Sequence, residues 1–154
     1  MKTAFLITAR LKSTRLPQKI MLSVMDKPLI THMIERIKHA RHIDTIIICT
    51  STNPQDDPLE KLAHAEGIAC HRGSEDDVLD RYYQCSLKYE ADHIVRVTGD
   101  CPMVDPEIVD RVATLAIDDS GIDYGTNGEP LTFPEGMTVE IIPQRTLHTA
   151  WKES

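Results

Sequence analysis

Residues Thr3–Lys19 read TAFLITARLKSTRLPQK, and the fold class turns on this stretch. Thr3–Thr8 is a short apolar run closing on polar residues, the pattern of a buried strand. Ala9–Lys19 is polar and basic, with a proline at Pro17. A buried strand that empties into such a loop opens an α/β unit, and the alternation continues downstream. Pro28 opens a helical pattern whose apolar stripe is Leu29, Ile30, Met33, Ile34 and Ile37. Thr45–Thr50 (TIIICT) is a second buried strand. Asp57–Glu66 sets Leu59, Leu62 and Ala63 on one helix face and ends at Gly67, a C-cap. Ile68–His71 is a third strand. Ser74 followed by Asp77 resembles a capping box, before a stripe of Val78, Leu79, Tyr82, Cys85, Ser86 and Tyr89. His93–Thr98 (HIVRVT) is a fourth strand, and a helix runs from Pro106 through Leu115 with Asp105 as its N-cap. Continuous apolar strands alternating with helices predict a three-layer α/β/α domain around a mostly parallel sheet.

The last third differs. Asp118–Gly136 is rich in Gly, Asp, Pro and Asn and reads as a long active-site loop. Val139–Ile142 reads as another strand, and a helix begins at Pro143 and stops at Ser154 after about two turns. A domain that stops inside an element reads as C-terminally incomplete, so residues 1–154 are expected to be one domain lacking its end. Its 154 residues, 41% hydrophobic and 27% charged, are enough to bury a core and exclude a disordered or fibrous chain. No apolar run approaches the roughly 20 residues of a membrane span. The N-terminal apolar stretch is too short for a secretory signal, which points to the cytoplasm. A formal net charge of −7 argues against general nucleic-acid binding. Cys49, Cys70, Cys85 and Cys101 are widely spaced, with no C-x-x-C pair, and read as reduced thiols rather than a zinc site or disulfide framework. His39 and His42, at i and i+3, read as sharing a helix face at the surface.

In an open parallel sheet, ligands bind beyond the carboxyl ends of the strands. The loops leaving those ends are Ala9–Lys19, Ser51–Asp57, Arg72–Asp77 and Gly99–Asp105. The first carries Arg10, Lys12, Arg15 and Lys19 with Ser13 and Thr14. Four cations in ten residues reverse the sign of an acidic chain, and a triphosphate needs such a group of cations and backbone N–H donors. The alternative is a solvated basic loop; its place after the first strand of an α/β unit favours phosphate. Neither G-x-x-x-x-G-K-[ST] nor G-x-G-x-x-G follows that strand, which sets aside a P-loop ATPase and a Rossmann dehydrogenase. The third loop offers Arg72, Gly73 and Ser74 at a helix N-terminus. Asp100, directly after a strand and facing the basic loop, is placed to hold Mg²⁺ shared with phosphate oxygens, the alternative being a turn or capping role.

These loops together resemble a known family. Ala9-Arg10-Leu11-Lys12-Ser13-Thr14-Arg15-Leu16-Pro17-Gln18-Lys19 is similar to the A-R-x-x-S-x-R-L-P-x-K signature of the cytidylyltransferases that make CMP-activated acidic sugars. Arg72–Tyr82 (RGSEDDVLDRY), Val95–Pro102 (VRVTGDCP) and Phe133–Glu140 (FPEGMTVE) resemble its spore coat polysaccharide biosynthesis protein F branch. The four motifs stand in family order and span nearly the whole chain.

The resemblance implies a nucleotide-diphospho-sugar transferase (glycosyltransferase-A-like) fold and nucleotidyl transfer from CTP to a small sugar in surface polysaccharide biosynthesis. By match, Ala9, Arg10, Ser13, Arg15 and Lys19 contact the triphosphate. Arg72, Ser74 and Asp77 lie near base and ribose, and Thr98 leads into Asp100, the first Mg²⁺ carboxylate. The implied chemistry is in-line attack by a sugar hydroxyl or another acidic nucleophile on the α-phosphorus, with Arg15, Lys19 and Asp100 as the catalytic residues and pyrophosphate leaving. Glu140 is a substrate or metal contact or, equally, a structural residue. Gln18 stands where the family often has Gly, which implies a looser approach to the phosphates. The family's second metal carboxylate lies in a segment later than Ser154, and members commonly pair through that later half, so a homodimer is compatible. Two alternatives remain: a nucleotide-binding module without chemistry, truncated or half of a larger protein, and a UTP-dependent sugar-1-phosphate transferase, whose glycine-rich opening is missing here.

Overall fold

The computed structural model describes residues 1–12 and 16–154. Four strands form the parallel part of a six-stranded sheet: β1 (Thr3–Thr8), β4 (Thr45–Ser51), β5 (Ala69–Gly73) and β6 (His93–Thr98). β7 (Gly125–Thr126) and β8 (Glu140–Pro143) complete it in the order β5-β4-β1-β6-β8-β7. β8 runs antiparallel to both β6 and β7, so the sheet is mixed, as a mostly parallel sheet with an added edge allows. A small hairpin, β2 (Ser23–Val24) with β3 (Lys27–Pro28), stands apart.

The strands are central because both of their faces are covered. Ala4, Phe5, Leu6 and Ile7 are all fully buried. Phe5 and Ile7 pack with Ile48, Val95 and Val97 under α1 (Leu29–Ile37), α2 (Asp57–Glu66) and α4 (Pro106–Asp118). Ala4 and Leu6 pack with Ile47 and Ile94 under α3 (Val78–Lys88) and α5 (Gln144–Glu153). Each large aliphatic or aromatic side chain removed from water in this way contributes roughly 1.5–3 kcal/mol. The two layers of helices confirm the three-layer α/β/α expectation.

Several boundaries shift. The third strand is Ala69–Gly73, so Arg72 and Gly73 belong to it and only Ser74–Asp77 is loop. The cap of α3 is Asp77 rather than Ser74: its carboxylate accepts the Asp80 N–H at 2.8 Å, while the Ser74 hydroxyl accepts the Asp77 N–H. Asp105 caps α4 as expected, and that helix continues to Asp118. His39 and His42 do not share a helix face, because α1 ends at Ile37. The buried Asp110 carboxylate takes the N–H groups of Arg41 and His42 and holds that segment as a turn. α5 is ten residues long rather than about two turns. The β2–β3 hairpin is new: its two-residue strands are too short to show a period, and Met25 and Asp26 occupy the left-handed positions usually given to Asn-Gly.

From β1 the chain crosses to β4 and β5 on one side and to β6 on the other, so the order reverses between β1 and β6. A crevice at the carboxyl ends of these two strands is the expected ligand site.

Candidate active site

β1 and β6 end in register, Thr8 beside Thr98, and the Gly99 N–H extends the ladder to the Thr8 carbonyl at 2.9 Å. A Cβ on Gly99 would stand 3.2 Å from the Ala9 Cβ and 3.4 Å from side-chain atoms of Ile7 and Ile30. Glycine thus lets the first loop cross close over the exit of β6. Asp100 follows at the mouth. Lys19 begins a 3₁₀ turn, Lys19–Met21, after Gln18 in the left-handed region at φ 54°. Its Nζ donates to Asp100 Oδ2 at 2.5 Å. This hydrogen bond holds the Asp100 carboxyl below the usual carboxylate range; partial burial opposes it and the Thr98 hydroxyl adds to it. Both side chains keep almost two-fifths of their surface exposed and so face an incoming solute.

Among the described residues, Arg10 and Lys12 of the first loop are held from the third. Arg10 Nη1 donates to the Glu75 carbonyl at 3.0 Å, and Lys12 Nζ approaches Glu75 Oε1 at 3.3 Å. Asn53 Nδ2 donates to the second Glu75 oxygen at 2.9 Å. Asn53 and Lys12, in that order, draw the Glu75 carboxyl below its usual range. Beneath them lies the fully buried Asp56, whose Oδ1 accepts the Leu11 N–H at 2.8 Å and whose Oδ2 accepts the Ser51 hydroxyl at 2.5 Å. Three loops are therefore tied at one point before any ligand arrives.

The structure brings Lys19, Asp100, Thr98, Ala9 and Arg10 to one rim. Thr98 Oγ1 contacts Cys101 Sγ at 3.2 Å, and the Ala9 N–H donates to the Cys49 carbonyl. Arg72 does not join them. Its guanidinium donates to the Ser51 and Asn53 carbonyls and pairs with Asp57 and Glu60, fastening α2 to the second loop. Ser74 and Asp77 are occupied in starting α3, and the Ser74 carbonyl accepts Arg81 Nη1 at 2.6 Å. Ser13 and Arg15 lie outside the described residues. Glu140 pairs with Arg96 of the adjacent strand β6, whose Nε donates to the Tyr82 hydroxyl at 3.0 Å, and that hydroxyl stands 2.5 Å from Thr8 Oγ1. A polar line Thr8–Tyr82–Arg96–Glu140 runs across the sheet below the rim.

Asp56, Glu75, Tyr82 and Arg96 were not singled out by their sequence neighbourhoods. A charged residue inside the apolar run HIVRVT is the one signal that pointed to Arg96. Asp56 stands at the N-cap position of α2, yet its carboxylate makes no capping bond to that helix.

Asp100 suits a hard divalent cation: an accessible carboxylate with a hydroxyl beside it and cations around the rim for the anion such a metal would share. No group of three or more His, Cys, Asp or Glu side chains capable of enclosing a metal stands among the described residues. Magnesium needs none, since it is held by one or two carboxylates together with substrate phosphates. No helix among the described residues is long and apolar enough to cross a membrane.

Residues 4–135 match the family model described as Cytidylyltransferase. The chain belongs to the cytidylyltransferase family. Spore coat polysaccharide biosynthesis protein SpsF of Bacillus subtilis is 37% identical over 142 residues, which are 90% of this chain and 58% of that protein. The 3-deoxy-manno-octulosonate cytidylyltransferase of Brucella ovis is 35% identical over 142 residues, 90% of this chain and 55% of that one. A cytidylyltransferase structure from Leptospira borgpetersenii superposes with a TM-score of 0.95 at 36% identity, covering all of this chain and 65% of the other. The chain spans 55–62% of the length of the curated relatives it matches.

Proposed function

We propose that this chain is the nucleotide-binding part of an enzyme that transfers a cytidylyl group from CTP to a hydroxyl of a small sugar or acidic sugar, releasing pyrophosphate in surface polysaccharide synthesis. The observation that carries the reading is the Lys19–Asp100 pair at 2.5 Å, seated where the sheet order reverses. The names of the Bacillus and Brucella relatives support the sugar class of the acceptor.

Asp100, with Thr98 beside it, would hold Mg²⁺, which when bound supplies positive charge to the phosphate oxygens. Lys19 and Arg10, with Arg15 and Ser13 of the same loop, bind the triphosphate and neutralise the charge that grows on the departing pyrophosphate. Asp56 and Glu75 set the curvature of that loop. Gly99 keeps the backbone low, so that the reacting phosphorus reaches the mouth of the crevice.

Calorimetry of the chain with CTP, UTP, ATP and GTP, each with Mg²⁺, tests the binding half; CTP should bind most tightly, and equal or absent binding overturns the reading. Pyrophosphate release with CTP across a panel of acidic sugars tests the transfer half in the whole protein.

A further inference from the structure

The crevice has two sides, and β6 shows which of them can receive an acceptor. Side chains of a strand alternate between its faces. Val95 and Val97 point under α1, α2 and α4, where they pack with the buried Ile7, Ile30 and Val104. Among the described residues that side is filled with apolar groups. Ile94, Arg96 and Thr98 share the other face, under α3 and α5. Its lower part is apolar as well, since Leu6, Ile47 and Ile94 meet Leu147 of α5 there. Its upper part is polar and open. Arg96 and Glu140 stand directly opposite each other on β6 and β8 and form an ion pair, with 30% and 22% of their side-chain surface exposed. Tyr82 of α3 holds the guanidinium by its hydroxyl and lies with its ring centre 5.9 Å from it. Thr126 of β7 is in register with Glu140, and the half-exposed Tyr124 comes just before that strand. Residues on one face of a strand follow each other at roughly 6–7 Å. Arg96 is thus one step below Thr98, whose hydroxyl adjoins Asp100 at the mouth.

The charges of the pair cancel each other. Arg96 uses Nε for Tyr82 and Nη1 for Glu140, which leaves Nη2 outside these bonds and beside a carboxylate. A sugar hydroxyl both donates and accepts, so two neighbouring hydroxyls can accept from Nη2 and donate to Glu140 together. A carboxylate in the same place would meet a guanidinium already paired and a like charge next to it.

We propose that Arg96 and Glu140 determine acceptor specificity by binding two adjacent hydroxyls at the uncharged end of the sugar, remote from its attacking oxygen. Tyr82 is the positioning residue that aims Arg96. The inference rests on the transfer reading above and narrows its acceptor: an acid group is accepted beside the attacking oxygen and rejected at the remote end.

Saturation-transfer NMR of the whole protein with CTP and Mg²⁺ tests this. The probes are glucose, mannose, galactose, N-acetylglucosamine and 3-deoxy-manno-octulosonate, each compared with its counterpart whose terminal CH₂OH is oxidised to a carboxylate. At least one parent sugar should bind, and about tenfold or more tightly than its oxidised counterpart. Glu140→Gln keeps a hydrogen-bond partner for Arg96 but leaves its charge uncancelled. Its preference should therefore fall to parity or reverse, while CTP affinity stays within about twofold of wild type. A pair that served only to tie β6 to β8 would not move that preference. Wild-type protein that binds no parent sugar, or binds the oxidised form as tightly, overturns the proposal. So does a Glu140→Gln protein with unchanged preference; should that variant not fold, the wild-type comparison still decides. CTP affinity in the same samples separates the two readings. CTP bound without discrimination among the sugars defeats this proposal alone, and CTP not bound defeats the active-site reading and this one with it.

Discussion

Replacing Asp56 by Ala is the sharpest test of how the first loop is held. The carboxylate is fully buried and accepts two hydrogen bonds, from the Leu11 N–H at 2.8 Å and the Ser51 hydroxyl at 2.5 Å. Hydrogen bonds to a charged group contribute about 1.5–3 kcal/mol each, and a buried donor left unmade costs about 1–3 kcal/mol. Leu11 is only 4% exposed, so its N–H has little recourse to water. Truncation should therefore cost about 3–5 kcal/mol, which at a urea slope near ~2 kcal/mol/M moves the unfolding midpoint down by roughly 1.5–2.5 M. Asp56→Asn keeps the acceptor for Leu11 and offers Ser51 an N–H instead, so it should lose only about 1–2 kcal/mol. Hydrogen exchange of the Leu11 amide provides the local readout: protected in wild type and Asp56→Asn, fast in Asp56→Ala. A midpoint for Asp56→Ala within about 0.5 M of wild type, or a slow Leu11 amide in that variant, would refute the account of the loop.

Three further outcomes follow from the same geometry. Asp100→Asn should lower pyrophosphate release by 10²–10³, on the order of one lost electrostatic contact, when the whole protein is assayed with CTP and Mg²⁺. Because Lys19 depresses the Asp100 carboxyl, the pair's favourable contribution is present above the ordinary carboxylate pKa and is lost as pH falls through the folded value. Lys19→Met should accordingly move the NMR titration midpoint of the Asp100 carboxyl carbon upward, and a midpoint that stays or falls contradicts the pairing. Gln18→Gly should raise stability in urea by about 0.5–1 kcal/mol, since Gln18 sits at φ 54° where an L side chain is strained and glycine, less its own entropy cost, is not.

The Gln18 position also shows how a family pattern becomes physics. The resemblance raised the missing glycine as a matter of approach to phosphate; the backbone shows a left-handed residue at the turn into Lys19, which gives glycine a conformational reason there. Arg72 shows the opposite case. Its place at the end of an apolar run suggested a loop cation, but the strand extends through Gly73 and points the guanidinium at the carbonyls of the neighbouring loop.

What this chain's sequence determined by itself was everything that depends on period and punctuation. Four apolar runs, three amphipathic stripes, Gly67 and Asp105 were legible because strand and helix periodicities and end-caps are local properties. The pairing of the basic loop with Asp100 was legible too, since parallel strands bring all their carboxyl ends to one edge. Tertiary structure decided which charge meets which. Asp56 turns inward to Leu11 rather than capping α2, Glu75 receives Arg10 and Lys12 from more than sixty residues away, and Arg96 meets Glu140 of the neighbouring strand. Such contacts are set by strand order and register and by how helices pack across the sheet. Neighbours along the chain carry no trace of them.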